Sequence, residues 1–530
     1  MRSNFSKNEH PKLTLTIKVT KILKIFSVFS FLFFLFYFVK DINLPFVGPF
    51  GNNNATYSIQ AKNYLRLGLF TTKFAPINKV KDNKYQYYLR HPPLLQLLTA
   101  LSYKIFGENQ WWPGRFFPIV STLASIILMA LIANQIWGKA EGWLTLFFAS
   151  TTPFLFSFGK IIQFEPLLLC VTLLFTYIAI KKRSAKTNIC LVSLSIIGCL
   201  IDWPMVIFLL VYLLFNKKYT RSFRVYVIIG LLVSMLFFGY ASWLTEPKEL
   251  ISAYIDRGFG GELFGKTWAI GRLTALLLLR ITLYFSPLGL LSGIIFISRK
   301  QKDKIPLVFL LFGGLNIALF LNGAFAHPYW LYYLTPFLIF SLAQMLNKII
   351  SQKRWRWLGI LLLITNIAFF VLVTGYKDQQ IKKALWQNDF IDQVKPWLTE
   401  GEEIGTSWDF NEELFRYKTG QPIKILWSEE EILENTLQKP KWHYFIFSCW
   451  ANCRPQEGLE IQETLGERFQ LVLREKEDRA TLYDLTQPPL KHAPETITSL
   501  VLEDSSKLKK SSEIILFYRK VRDFFGVNQI

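Results

Sequence analysis

The 530-residue sequence predicts an α-helical polytopic membrane protein of about eleven spans, followed by a small C-terminal α/β domain in water. Three observations point there. Apolar runs of about 20 residues, the length a helix needs to cross ~30 Å of hydrocarbon, recur up to residue 375 and then stop. Charged residues make up only 18% of the chain and Phe alone occurs 48 times, whereas a soluble chain is about a quarter charged. The net charge of +22 is also uneven: residues 1–375 hold 39 basic and 12 acidic side chains, and 376–530 hold 21 and 26. A purely soluble chain is excluded. Because the basic excess lies among the apolar segments, membrane lipids and not nucleic acid are the expected partner.

The apolar runs are read at 22–40, 117–137, 141–158, 164–180, 187–201, 203–215, 225–244, 273–297, 305–321, 328–346 and 357–375. The two flanking Asp202 are short, as expected of a pair broken around Trp203-Pro204. Lys and Arg in short connections resist translocation. Four connections, 181–186 (KKRSAK), 216–224 (NKKYTRSFR), 298–304 (SRKQKDK) and 347–356 (NKIISQKRWR), carry four basic residues each. The alternate turns around Lys160, Asp202 and 322–327 hold a single Lys. This predicts a cytoplasmic N-terminus in the plasma or inner membrane, with loop 41–116, loop 245–272 and the tail from 376 on the outer side. The first 21 residues lack a cleavable-signal layout, so the first span is read as a retained anchor.

Domain expectations follow: residues 1–375 as a multi-span domain including outer loop 41–116, 376–489 as an extracytoplasmic α/β domain, and 490–530 as a basic amphipathic tail suited to a membrane surface. Loop 41–116 is too long for a connector and reads as a helix from Ala55 to Leu67 and an amphipathic, interfacial one from Leu94 to Phe106. Beyond Tyr376, strands at Glu403–Ser407, Ile423–Trp427, Trp442–Ser448, Phe469–Arg474 and Ala480–Leu485 alternate with helices, a pattern of α/β layers. Cys170, Cys190 and Cys199 fall in spans as packing residues. Cys449 and Cys453, in CWANC, are either a disulfide or two free thiols.

Acids are scarce before Tyr376, and ionisable groups near a membrane are functional candidates. Asp41 ends the first span, Glu165 opens the fourth and Asp202 lies in the turn IDWP. All three are expected near the outer face, as a base toward an acceptor hydroxyl or amine, or as oxygen ligands of a divalent cation; each alone also fits a helix-end polar cap. No metal cluster or other cofactor is read from the sequence. Basic candidates for a phosphate group are Arg90, His91, Arg115, Lys160, Arg257, Arg272 and His327, with Lys62 and Arg66, since guanidinium and ammonium groups form charge-assisted bonds to its oxygens.

In order and spacing, several pieces resemble the GT-C membrane glycosyltransferases of family 39, the protein O-mannosyltransferase and aminoarabinose-transferase kind. They are NNATYSIQAKNYLRLG from Asn53 to Gly68, His91-Pro92-Pro93-Leu94, Phe106-Gly107, Arg115-Phe116, Glu165 and His327-Pro328-Tyr329-Trp330 with Pro336. The resemblance covers roughly residues 20–375. It implies transfer of a hexosyl or pentosyl group from a polyprenyl-phosphate donor to a lipid, glycan or protein acceptor on the extracytoplasmic face, with inversion at the anomeric carbon. One departure stands out. The family's acidic Asp-Glu pair aligns with Asn53-Asn54, and an amide cannot take up a proton at neutral pH. Another carboxylate, Glu165, Asp202 or Asp41, has then taken the role of base, or the protein is an inactive GT-C-like scaffold. A polytopic transporter or flippase is the alternative from another class, although no paired repeat is visible.

Overall fold

The computed structural model describes residues 17–48, 50–81, 84–181, 184–215, 220–258, 269–299, 303–399, 401–407, 410–438, 441–448, 455–475 and 479–487. The expected tail 490–530 and Cys449 and Cys453 lie outside the described residues. The chain divides into two units. Of the described residues, those up to Asn43 cluster with Gln60–Lys377, and Leu44–Ile59 with those from Asp378 on.

The first unit is a helical bundle. It begins with α1 (Ile17–Lys40), whose Ser27 hydroxyl donates to the Trp143 carbonyl at 2.7 Å. The polar segment that follows holds α2 (Gly51–Leu67), whose first residues belong to the second unit, then the antiparallel hairpin β1 (Ile77–Lys81) and β2 (Lys84–Tyr87), and α3 (Leu94–Phe106). Helix α3 is amphipathic, and its Ala100 and Tyr103 pack on Ala61 and Tyr64 of α2. Next come α4 (Trp112–Ile136), α5 (Lys139–Ser150), α6 (Pro153–Phe158), α7 (Phe164–Ala179), α8 (Ala185–Ile201), α9 (Pro204–Phe215), α10 (Thr220–Leu244) and α11 (Pro247–Gly258). The bundle closes with α12 (Ala269–Ser298), α13 (Lys304–Leu319), α14 (Leu321–Ala326), a 3-10 helix Pro328–Leu334, α15 (Thr335–Ser351) and α16 (Arg356–Lys383).

Prolines mark two of the breaks between these helices. Pro has no N–H to continue a ladder and pushes the residue before it out of helical geometry. The expected span 141–158 is therefore two helices, α5 and α6, with Thr152 extended at φ −92°, ψ 113° ahead of Pro153. Pro204 likewise starts α9 anew after Asp202, which is extended at φ −162°, ψ 153°. Among the described residues six helical stretches are long and apolar enough to cross a membrane: Val19–Lys40, Trp112–Ile136, Arg224–Leu244, Gly271–Ser298, Pro328–Ser351 and Lys353–Trp397. Five other apolar helices, α3, α7, α8, α9 and α13, are shorter. The eleven expected spans are thus not eleven equivalent long helices: α7, α8, α9 and α13 are short, and 141–158 is broken at Pro153.

The second unit holds a five-stranded mixed sheet of order β4-β3-β5-β7-β6. Strands β3 (Ile404–Ser407), β4 (Ile423–Leu426) and β5 (Tyr444–Ser448) are parallel neighbours; β6 (Gln470–Arg474) and β7 (Ala480–Asp484) add antiparallel pairs. Helix α17 (Leu385–Val394) precedes the sheet. Helix α18 (Glu412–Thr419) links β3 to β4, opened by the Asn411 side chain accepting from the Leu414 N–H at 2.9 Å and closed by Gly420 at φ 75°, a backbone angle open to glycine. Helices α19 (Glu429–Leu433) and α20 (Pro455–Arg468) complete it, around a core of Trp442, Phe445, Phe447, Leu465 and Tyr483. Residues 44–59, expected as part of an outer loop of the membrane domain, group here: Phe46 is fully buried with its ring 5.1 Å from that of Tyr417.

Candidate active site

The break between α8 and α9 builds the site. With Asp202 extended, its side chain turns back into the protein, where it is 6% exposed. Its Oδ1 accepts the Trp203 N–H at 2.9 Å and lies 2.8 Å from His91 Nδ1. A carboxylate oxygen can only accept, so Nδ1 carries the hydrogen and Asp202 fixes both the tautomer and the orientation of the ring. The Trp203 indole N–H in turn donates to the Arg90 carbonyl at 3.1 Å.

His91 precedes the Pro92-Pro93 start of α3, and its ring stacks on Phe164 with centroids 4.2 Å apart and planes 19° apart. Phe164 opens α7, so the next side chain, Glu165, sits in the first helical turn, where the helix dipole favours a negative charge. Across from these lie the buried Tyr332 and Tyr333 of the 3-10 helix. Glu165 acts electrostatically on both hydroxyls and Asp202 on that of Tyr333. Four sequence candidates, Asp202, Glu165, His91 and Arg90, therefore meet at one place, with the Arg90 side chain exposed at its edge.

Three other candidates gather at the end of α1. Lys160 stands 5.1 Å from the Phe156 ring and 5.9 Å from that of Phe38. Buried Arg115 donates to the Ile42 carbonyl at 2.6 Å and so fixes the turn that carries Asp41. Asp41 is half-buried.

His327 joins α14 to the 3-10 helix, its ring stacked on Tyr329 at 4.9 Å. Its turn is held by Arg280, fully buried, whose guanidinium donates to the carbonyls of Ala324 at 2.6 Å and Phe325 at 3.0 Å. Arg272 is half-buried in the first turn of α12. Arg257 lies on α11, its side chain outside the described residues. Lys62, 3.7 Å from Glu108, is pushed below the usual lysine range first by burial, with Glu108 opposing and Arg66 adding to the effect. Asn53 and Asn54 lie in the first turn of α2, within the second unit, with Asn54 buried. Among the described residues no three His, Cys, Asp or Glu side chains gather as a metal site.

Sequence reasoning missed Phe164, Trp203, the Tyr332-Tyr333 pair and Arg280. A lone Arg in the apolar run LLLLRITLYF was a legible signal. The tyrosines were not, in a chain that is 16% aromatic.

A model of the dolichyl-phosphate-mannose-protein mannosyltransferase family matches residues 90–243, the segment that carries Arg90, His91, Glu165 and Asp202. The structure is similar to the crystal structure of ArnT from Cupriavidus metallidurans bound to undecaprenyl phosphate, with a TM-score of 0.56 and 13% identity over 89% of this chain and 98% of that one. The apo state of the same protein gives 0.55 and 13% identity over 88% and 98%. The chain has the GT-C glycosyltransferase fold. No curated protein matches it in sequence. Within this GT-C fold the family-matched segment runs from the residue before His91 into α10, so both sides of the His91–Asp202 contact fall inside it.

Proposed function

We propose that this GT-C protein moves a hexosyl or pentosyl group from a polyprenyl-phosphate donor to a lipid, glycan or protein acceptor on the extracytoplasmic face of the plasma or inner membrane. The observation that carries the reading is the convergence of Glu165 and the Asp202–His91 pair beside Tyr332 and Tyr333. The ArnT structure bound to undecaprenyl phosphate supports the donor class.

In the proposed reaction the acceptor nucleophile attacks the anomeric carbon, the bond from that carbon to the phosphate oxygen breaks with inversion, and the polyprenyl phosphate leaves with the electron pair. Glu165 is our first choice as base for the acceptor proton. Asp202 already accepts two N–H groups on one oxygen and acts as the positioning residue of His91. Asp41 is the remaining carboxylate candidate. His91 and Arg90, with Lys160, Arg115, Arg257, Arg272 and His327 as further cations, would offset charge on the departing phosphate. A divalent cation, should one take part, would draw on Glu165 and Asp202.

The test is transfer of label from a polyprenyl-phosphate sugar in proteoliposomes, with and without EDTA. Glu165→Gln and Asp202→Asn should each slow transfer about 10²-fold or more. Undiminished transfer in the double variant defeats this assignment, and flux of the lipid without covalent product would make the protein a transporter or flippase. A second reading, an inactive scaffold, is favoured by one observation: amides at Asn53 and Asn54, where the resemblance to family 39 implies an acidic pair. Donor binding without turnover in the natural sequence would support it.

A further inference from the structure

Helix α15 leads away from the tyrosine pair. From Thr335 to Lys348 it carries the chain roughly 20 Å at ~1.5 Å per residue. At that far end α12, α15 and α16 leave a groove of about 510 Å³. Leu291, Ile295, Leu358 and Leu362 line it with aliphatic surface, and Arg299 and Lys348 supply its charge.

The cations are placed by their surroundings. Arg299 donates to the Gln344 side-chain carbonyl at 3.2 Å, and Asp303 is the acid that acts on both Arg299 and Lys348. Asp303 Oδ2 also accepts the Trp137 indole N–H at 3.0 Å and the Gln344 amide at 2.8 Å. The lining of the groove thus carries two cations and no acid, while Asp303 and Glu141, which accepts from the Asn347 amide at 2.6 Å, stand behind it.

The next residues fix the depth of this end in a bilayer. Trp355 and Trp357 are 38% and 63% exposed, and the Arg354 guanidinium lies 4.7 Å from the Trp355 ring centroid. Exposed Trp interleaved with Lys353, Arg354 and Arg356 is the pattern of a membrane–water boundary. An occupant has to be aliphatic along its length, anionic at one end, and supplied from within the bilayer.

We propose that this groove binds an anionic glycerophospholipid, its acyl chains along Leu291, Ile295, Leu358 and Leu362 and its phosphate between Arg299 and Lys348. A free phosphate has no use for the aliphatic walls. A zwitterionic lipid carries its own ammonium, which would meet a lining whose only charged side chains are cations. Basic pockets between membrane helices select anionic headgroups for this electrostatic reason. The site is distinct from the proposed catalytic end and does not depend on that reading.

The test uses the full chain exchanged into nanodiscs of phosphatidylglycerol or of phosphatidylcholine, released, and weighed by native mass spectrometry. Phosphatidylglycerol should be retained and phosphatidylcholine should not. The Arg299→Gln, Lys348→Gln double variant should retain it roughly 10- to 30-fold less, and Arg299→Lys should keep most of it. Leu291→Trp with Leu362→Trp, which fills the groove and leaves the cations, should also abolish retention. Should the glutamine variant fail to fold, as judged by gel filtration, the tryptophan variant and the lipid comparison still decide the matter. Equal retention of both lipids, retention indifferent to both pairs of substitutions, or ready displacement by millimolar inorganic phosphate would overturn the proposal.

Discussion

Arg280 stands in the middle of α12, fully buried, with two N–H groups committed to the carbonyls of Ala324 and Phe325. These carbonyls end α14, where the chain has no helical partners left for them. Arg280→Met should leave both without a donor and cost about 2–6 kcal/mol, at ~1–3 kcal/mol for each orphaned group. The expected readout is a lower Tm in detergent, together with a raised KM for donor because the His327 turn loosens. Arg280→Lys should not restore either, since one ammonium does not reproduce the fork of a guanidinium. At this scale much was legible. Glu165 and Asp202 stand out because acids are so few before Tyr376, and His91 because of its place beside Pro92-Pro93. Their meeting was not legible: His91 and Asp202 are 111 positions apart, and only the packing of α3, α7 and the α8–α9 break closes that distance.

At the scale of elements, the site depends on how closely α13 approaches the 3-10 helix. A Cβ on Gly313 would fall 2.6 Å from Leu334 Cγ and 2.8 Å from its backbone nitrogen. Gly313→Val should therefore push the 3-10 helix outward, costing about 1–3 kcal/mol by overpacking. Transfer should fall more than stability does, because Tyr332 and Tyr333 ride on the displaced helix. A variant with normal transfer and normal Tm would show that this approach is not needed. In the sheet, burial pushes the Asp484 carboxyl up, but the Thr486 hydroxyl at 2.6 Å, the Thr486 N–H at 2.8 Å and His443 together hold it below the usual carboxylate range. A carboxyl depressed in the folded state adds stability above its unfolded pKa of about 3.9, and that contribution is lost as pH falls through the lower folded value. Thr486→Val should cost about 0.5–1.5 kcal/mol at neutral pH and move the acid-unfolding midpoint of this unit upward, as followed by far-UV circular dichroism. The helix break at Pro204 was readable from sequence as a local steric fact, whereas the one at Pro153 was passed over inside a continuous apolar run; the close approach at Gly313 was not legible either, since nothing local distinguishes it from Gly314.

For the whole molecule, the charge alternation of the connections is an orientation argument. Single cysteines at Lys160 and Asn322 should react with an impermeant maleimide in intact cells or right-side-out vesicles, and those at Lys181 and Lys353 only after permeabilisation. The reverse pattern would put Glu165 and Asp202 on the cytosolic side and remove the basis of the proposed reaction. The sequence by itself determined that the chain is a membrane protein with a water-facing C-terminal portion. Apolar length and charge placement are properties of the covalent chain and need no fold to be counted. It also narrowed the carboxylate candidates, because few acids were available. Tertiary structure alone decided that Asp202 holds His91, that Phe164 and Glu165 come up beside them, that Leu44–Ile59 joins the C-terminal unit, and that Arg299 and Lys348 flank one aliphatic groove. Each of these is a contact between distant segments, fixed by the packing of whole helices, and neither periodicity nor hydropathy along the chain encodes which distant residues such packing brings face to face.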